Sequence, residues 1–203
     1  MVSAKNEVPI HWGDGLWTLH SYEGQTCNDF DYFMENMQEK LEADRVVLAI
    51  SADHNFRQDI LPTYKHNRED KREPMLRQLL KQYALDNYEC FQRPGLEGDD
   101  VLGILSTSKQ VIKGEKIIVS IDKDMRTIPG LILNWNHAQH AVNTGHLEAF
   151  TDAIYEVTEE QADYFHLLQA FAGDTTDGYA GCPGIGMQSA DEILSDEPHV
   201  NRR

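Results

Sequence analysis

The sequence predicts an α/β fold, with a mostly parallel central sheet flanked by helices. Three observations carry this. Val46-Val47-Leu48-Ala49-Ile50 and Lys116-Ile117-Ile118-Val119-Ser120-Ile121 are short, nearly continuous apolar runs, as strands covered on both faces should be. Such runs alternate with segments whose apolar residues fall at helical spacing, the pattern of a parallel sheet wound with helices. Acidic residues gather where the strands end, at Asp14, Asp122 and Asp124. In open α/β sheets, the carboxyl ends of the strands form the ligand-binding edge.

Taken in order, Val8 to Trp12 is a weak first strand. Pro9 pushes its start later, and Asp14-Gly15 reads as the junction to a turn. Asn28 or Asp29 caps a helix running to about Glu42, with Phe30, Phe33, Met34, Met37 and Leu41 on its apolar face. Arg45 to Ser51 is the clearest early strand. Asp53-His54-Asn55-Phe56-Arg57 is loop-like, and Tyr64 to Arg72 is densely charged. A helix follows Pro74, with Met75, Leu79 and Tyr83 at helical spacing. Tyr88 to Gln92 is a short strand, and a buried helix starts at Glu97. Leu131 to Trp135 is a further strand, and Asn136 to Gly145 a loop or surface hairpin. Thr158 with Gln161 forms a capping box for a helix to about Ala172. The glycine-rich turn Gly181-Cys182-Pro183-Gly184-Ile185-Gly186 enters a last helix through Leu194, and such a turn can offer backbone N–H groups to an anion.

The chain has 203 residues, 40% hydrophobic and 26% charged, which are globular values for a single domain with at most a small appendage. No apolar run reaches the length of a membrane span, and the first residues lack the layout of a signal peptide. Cys27, Cys90 and Cys182 are scattered without metal-like spacing, and imply reduced thiols in the cytoplasm. The net charge of −16 argues on its face against a nucleic-acid partner. Its distribution matters more, because seven of the eighteen basic residues lie between Arg57 and Lys81. A local basic strip of this kind either binds a nucleic acid or is a plain solvated surface.

The acids point to a metal pocket. Glu97-Gly98-Asp99-Asp100 places three carboxylates within four residues, more than a helix dipole requires. With Asp122, Asp124, Asp174 and Asp177 they suit two hard divalent cations, Mg2+ or Mn2+, which prefer carboxylate oxygens and water. Each has a blander reading. Asp122 and Asp124 could simply end a strand, Asp174 and Asp177 could form a turn, and Tyr64 could pack on Pro62. Lys65 and Arg68 could pair weakly with Glu69 and Asp70. His54, His66, His137, His140 and His166 are surface or packing residues in this reading, and Trp12, Trp17 and Trp135 belong to the core.

Six motifs together resemble the 5′-nuclease, or flap endonuclease, superfamily, most similarly the 5′-to-3′ exonucleases of T-odd podophages. They are Asp14-Gly15, Tyr64-Lys65-x-Asn67-Arg68, Glu97-Gly98-Asp99-Asp100, Ser120-Ile121-Asp122-Lys123-Asp124, Gly173-Asp174-x-x-Asp177 and Gly181-x-Pro183-Gly184-Ile185-Gly186. The resemblance runs from about residue 8 to residue 194. It implies hydrolysis of DNA near a 5′ end, at 5′ ends, flaps or branches, by two metal ions. RNA of RNA–DNA hybrids is a further candidate substrate, in phage replication or recombination and in the cytoplasm of an infected host, by a monomer without a membrane partner.

By position, the resemblance implies that Asp14, Glu97, Asp99, Asp100 and Asp122 surround one ion. Asp124, Asp174 and Asp177 would hold the second, with Asp122 near both. Lys65 and Arg68 would contact the scissile phosphate from an arch at about residues 53–85, where Lys71 and Arg72 add positive charge. Tyr64 would face the terminal base. Gly184, Ile185 and Gly186 would hold duplex backbone, with K+ in some relatives. Asp53 is the nearest candidate for a further acid after the second strand. The implied division is a nuclease α/β domain at 1–173 and a helix–three-turn–helix DNA-binding element at 174–203. The resemblance implies a shortened form of that element, because relatives continue beyond it. Two other readings compete: a non-catalytic module binding branched DNA, and a phosphohydrolase of small esters suggested by Asp122-Lys123-Asp124 alone.

Overall fold

The computed structural model describes residues 15–66, 74–136 and 153–196, with side chains from 23 to 195 within those spans. The first strand expected at Val8–Trp12, Asp14, the Arg68, Lys71 and Arg72 portion of the basic strip, and most of the Asn136–Gly145 loop lie outside them.

Helix α1 spans Gly15–Lys40. It begins well before the cap expected at Asn28 or Asp29. No proline interrupts the added turns, and Gly24 sits in open space where it costs only propensity. The predicted apolar face holds: Met37 is buried, and Phe33 and Leu41 pack beside it against Leu133 and Ala153. Trp135 joins this cluster edge-on to Phe33, with ring centroids 4.7 Å apart.

Strand β1 (Leu48–Ile50) pairs in parallel with β2 (Cys90–Gln92), Leu48 opposite Cys90. Between them lie a short helix α2 (Phe56–Ile60) and helix α3 (Arg77–Asn87). Helix α2 falls in a stretch that reads as loop. Asn55 creates it, because its side chain accepts from the Arg57 N–H at 2.9 Å and caps the turn.

Helix α4 (Gly98–Thr107) follows β2 and buries Val101 and Leu105. Strand β3 (Ile117–Ser120) pairs in parallel with β4 (Gly130–Asn134), which pairs antiparallel with β5 (Ile154–Val157). The described strands thus form a two-stranded parallel sheet, β1–β2, and a three-stranded mixed sheet, β3–β4–β5. Strand β5 was not expected, since four residues after a long polar stretch give too few positions to show a period.

A 3-10 turn at Lys123–Thr127 leads out of β3 and buries Met125, which packs with Ile118, Ile132, Val157 and Ala162. Helix α5 (Glu159–Ala172) carries the expected Thr158–Gln161 capping box and packs on that turn. Helix α6 (Met187–Asp196) lies against α5 around Phe165, Leu168 and Ala190. Helices therefore flank a mixed sheet, and the end of β3, the start of α4 and the end of α5 deliver the acids.

Candidate active site

Backbone contacts set the cluster before side chains meet. Gly98 opens α4 against the end of β1, where its N–H donates to Ser51 Oγ at 2.8 Å. A Cβ on Gly98 would stand 3.2 Å from the Ala49 carbonyl oxygen. Asp122 ends β3 and caps the 3-10 turn by accepting from the Asp124 N–H at 3.0 Å. Helix α5 stops at Gly173 with φ +80°, in backbone that favours glycine. The following loop closes on itself, with Asp174 and Tyr179 exchanging backbone hydrogen bonds.

Tyr64 and Lys65, in the stretch expected to form an arch, fold onto these acids. The Lys65 N–H donates to the Asp177 carbonyl at 3.0 Å, and Lys65 itself has φ +55°, an uncommon conformation for a residue with a side chain. From that turn, Lys65 Nζ donates to Glu97 Oε1 at 2.8 Å and stands 3.7 Å from Asp177 Oδ1. The Tyr64 hydroxyl donates to Glu97 Oε2 at 2.7 Å and to Asp177 Oδ2 at 3.1 Å. Lys65 and Tyr64 thus meet residues distant in sequence.

Arg57, which the sequence reading placed in a loop, grips Asp100 with both arms. Nη1 donates to Oδ2 at 2.8 Å and Nη2 to Oδ1 at 2.6 Å. Its signal in the sequence was only its position as the first of the seven clustered basic residues. Gln169 was also missed. It reaches from α5 to donate to Asp124 Oδ1 at 2.5 Å, and a glutamine on a helix carries no sequence signal of such a role. On the far side of the cluster, Lys123 donates to Asp174 Oδ2 at 2.8 Å.

The electrostatics sort the acids into two kinds. Burial pushes the Glu97 carboxyl up, but the Lys65 and Tyr64 hydrogen bonds and the nearby Arg57 charge hold it below the usual range. The Arg57 hydrogen bonds hold Asp100 low, and the Lys123 hydrogen bond does the same for Asp174. Asp99 behaves oppositely. It keeps an open face to solvent, yet crowding by surrounding protein, and then the charges of Asp122 and Glu97, push it up to about 6. Burial also raises Asp124, with Asp122 and Asp174 adding to it against the Gln169 hydrogen bond.

Asp53 does not join the group. Its side chain is 92% exposed and pairs with Lys81 of α3 at 2.5 Å. The Gly184–Gly186 turn is open: Gly184 has φ +78° with nothing near its Cβ position, and Gly186 is equally unobstructed. Ile185 instead packs against the Phe165–Leu168–Ala190 cluster and anchors the turn.

Among the described residues, no three His, Cys, Asp or Glu side chains stand ready to hold a metal ion. Three of the acids are held by the chain's own cations: Glu97 by Lys65, Asp100 by Arg57 and Asp174 by Lys123. A divalent cation fits this donor set nevertheless. The donors are hard oxygens from α4, the end of β3 and the loop after α5, and the Lys65 ammonium already stands at hydrogen-bonding distance from Glu97, with Asp177 slightly beyond. The crowding that raises Asp99 would be relieved by positive charge.

Fold and site together define a class, an α/β protein with a carboxylate cluster at the strand ends beneath a basic, aromatic flap. Comparison with known proteins gives the family. A model described as the 5′-3′ exonuclease N-terminal resolvase-like domain matches residues 17–140, and the chain belongs to this family. The exodeoxyribonuclease of Enterobacteria phage T3 is 31% identical over 197 residues, 94% of this chain and 61% of that protein. The exonuclease of Escherichia phage T7 is 30% identical over 93% of this chain and 61% of its own length. The flap endonuclease Xni of Shewanella oneidensis is 31% identical over 69% of this chain and 52% of its own. The chain thus spans about three fifths of the phage proteins it matches.

Among solved structures, the phage T5 5′-exonuclease with bound zinc superposes with a TM-score of 0.61 at 18% identity, covering 83% of this chain and 66% of that one. The T5 flap endonuclease in a pseudo-enzyme–product complex with DNA and metal ions gives 0.59 at 16% identity, over 83% of this chain and 66% of the T5 chain. These likenesses establish a shared fold.

Proposed function

We propose that the protein is a metal-dependent 5′-to-3′ exonuclease with flap endonuclease activity, hydrolysing DNA phosphodiesters in phage replication or recombination. The observation that carries this reading is the convergence of Tyr64 and Lys65 on Glu97 and Asp177. That contact joins the arch to acids from two other segments of the chain. Relatives named as exonucleases and flap endonucleases support it.

Glu97, Asp99, Asp122, Asp124, Asp174 and Asp177 would hold two Mg2+ ions, with Mn2+ able to substitute and Asp14 contributing from outside the described residues. Bound there, divalent ions lower the pKa of attacking water and stabilise the leaving oxygen. The chain's own residues do the rest. Lys65, released from Glu97, offers a compact charge to the phosphate, and Arg68 a planar one able to bind two oxygens. Tyr64 presents a ring to an unpaired base, a contact worth about 1–3 kcal/mol. Lys71 and Arg72 extend the basic path, and the open turn at Gly184–Gly186, braced by Ile185, receives duplex backbone with K+ as a candidate bridging ion. Contacts of this kind carry no base information, so selection falls on DNA structure. RNA of RNA–DNA hybrids is a secondary substrate in the same reading.

The division into a nuclease domain at 1–173 and a DNA-binding element from 174 is part of the proposal, and the packing of α5 on α6 supports a close junction. No helix of the described residues is long and apolar enough to cross a membrane, and the reading takes the protein as a monomer of the host cytoplasm.

The test is cleavage of 5′-labelled duplex and flap DNA with and without Mg2+. Short 5′ products that need the metal, and vanish in Asp122→Ala and Asp174→Ala while DNA binding persists, are expected. Undiminished cleavage by both variants would overturn the assignment. Lys65→Ala should lower turnover more than duplex affinity, as separate kcat and Kd measurements would show.

A further inference from the structure

The three acids of Glu97-Gly98-Asp99-Asp100 are neighbours in sequence, but the structure uses them differently. Glu97 caps α4 and takes the Lys65 and Tyr64 hydrogen bonds. Asp99 has no hydrogen-bond partner among the described residues and faces Asp122, Glu97 and Asp124 electrostatically. Asp100 is fully engaged. Arg57 takes both its oxygens, and Oδ2 also accepts from the Glu97 backbone N–H at 2.9 Å, closing the capping box of α4.

Arg57 is itself well anchored. Its N–H is held by Asn55, which is only 7% exposed and is the buried polar side chain of the described core. Its guanidinium lies 4.8 Å from the centre of the Phe56 ring and 6.0 Å from that of Tyr64. Its carbonyl accepts from the Leu61 N–H at 2.8 Å at the end of α2.

We propose that Arg57 is a positioning residue that withholds Asp100 from the metal ions and uses it to tie the base of the arch to the start of α4, leaving Asp99 as the acid of the pair that meets the cation. To recruit Asp100, a cation would have to break a two-pronged, charge-assisted pair and a helix cap together. Asp99 offers oxygens with no such competitor. The guanidinium remains charged at every accessible pH, so the tie does not titrate away. Arg57 thus joins three features: the Asn55-capped turn, the Tyr64 ring and the acid stretch of α4. This inference rests on the metal-dependent reading above.

The experiment is calorimetric titration of the full chain with Mn2+ alone, in the absence of DNA, which reads metal affinity without turnover. Asp99→Asn should weaken binding by about tenfold or more. Arg57→Ala should tighten it about fivefold, because Asp100 is freed and a nearby positive charge is lost. The double variant Arg57→Ala/Asp100→Asn should return close to wild type. If Arg57 merely oriented Asp100 as a ligand, Arg57→Ala would weaken Mn2+ binding instead, as loss of an outer partner does. Weakened or unaltered binding therefore overturns the proposal. Arg57→Gln, neutral and of similar length, gives the same sign test should the alanine variant fold poorly.

Backbone amide exchange over residues 55–65 should also accelerate in Arg57→Ala, as the arch base loosens. Unaltered exchange there would remove the tethering half of the proposal. Mn2+ affinity indifferent to Asp99→Asn would overturn the metal reading itself, and this inference with it.

Discussion

At the scale of single residues, the site shows how little neighbourhood in sequence says about partnership. Lys65 was singled out as a candidate by its Tyr-Lys-x-Asn-Arg setting. Its resting contacts with Glu97 and Asp177 were not, because a side chain's partner depends on how distant loops approach. Asp53 and Asp99 are both exposed acids beside strands or helices. Only packing puts one on Lys81 and the other among carboxylates.

The backbone supplies a sharper residue-level prediction. Gly173 and Gly181 touch across the loop that carries Asp174 and Asp177. A Cβ on Gly181, at φ +64°, would fall 2.4 Å from the Gly173 nitrogen. Gly181→Ala should therefore cost at least about 2 kcal/mol, from left-handed backbone plus overpacking. Urea unfolding would measure it, and Gly184→Ala, in open space at φ +78°, should cost less.

At the scale of elements, the parts with strong local signals were readable. The Thr158–Gln161 box starts α5, and the apolar runs gave β1, β3 and β4. The weak signals failed: the early start of α1, the short helix α2 and the four-residue β5. Helix α2 rests on the Asn55 cap and β5 on its pairing with β4, contacts that no apolar period records.

One such contact joins α1 to α3 and the entry of β2. Tyr83 and Tyr88 both donate to Asp31, at 2.7 and 2.5 Å, beside the Arg45–Glu89 pair. The bond to Asp31 pushes the Tyr83 phenol up to about 12, and burial followed by Asp31 raises Tyr88 further. Phenols raised in the folded state contribute stability that is complete below their unfolded value of about 10 and lost as pH rises through the folded values. Denaturant midpoints should thus hold level from pH 8 to 10 and fall by pH 11.5. The double variant Tyr83→Phe/Tyr88→Phe should be less stable at pH 8 and show a shallower alkaline fall. An identical fall in wild type and variant would exclude Asp31 as the cause.

At the scale of the molecule, the α/β class and the gathering of acids were legible because strand ends and helix starts share an edge in such folds. The mixed sheet, with β5 reversed against β4, was not, since direction follows from a connection with little pattern of its own. Helices α5 and α6 bury Phe165, Leu168 and Ala190 between them, so these two helices are fastened to each other by their own small core. The loop between those helices is ring-like. The Cys182 N–H reaches back to the Phe171 carbonyl, Asp174 and Tyr179 bond each other twice, and Gly178 passes close under Thr63. A ring of fixed circumference has no slack. Evolution can exchange the exposed side chain of Thr176 with little penalty, but adding or deleting a residue there would shift Asp174 relative to Asp177. This stretch should therefore drift in spelling while keeping its length, as the surface turn around Gly114 need not.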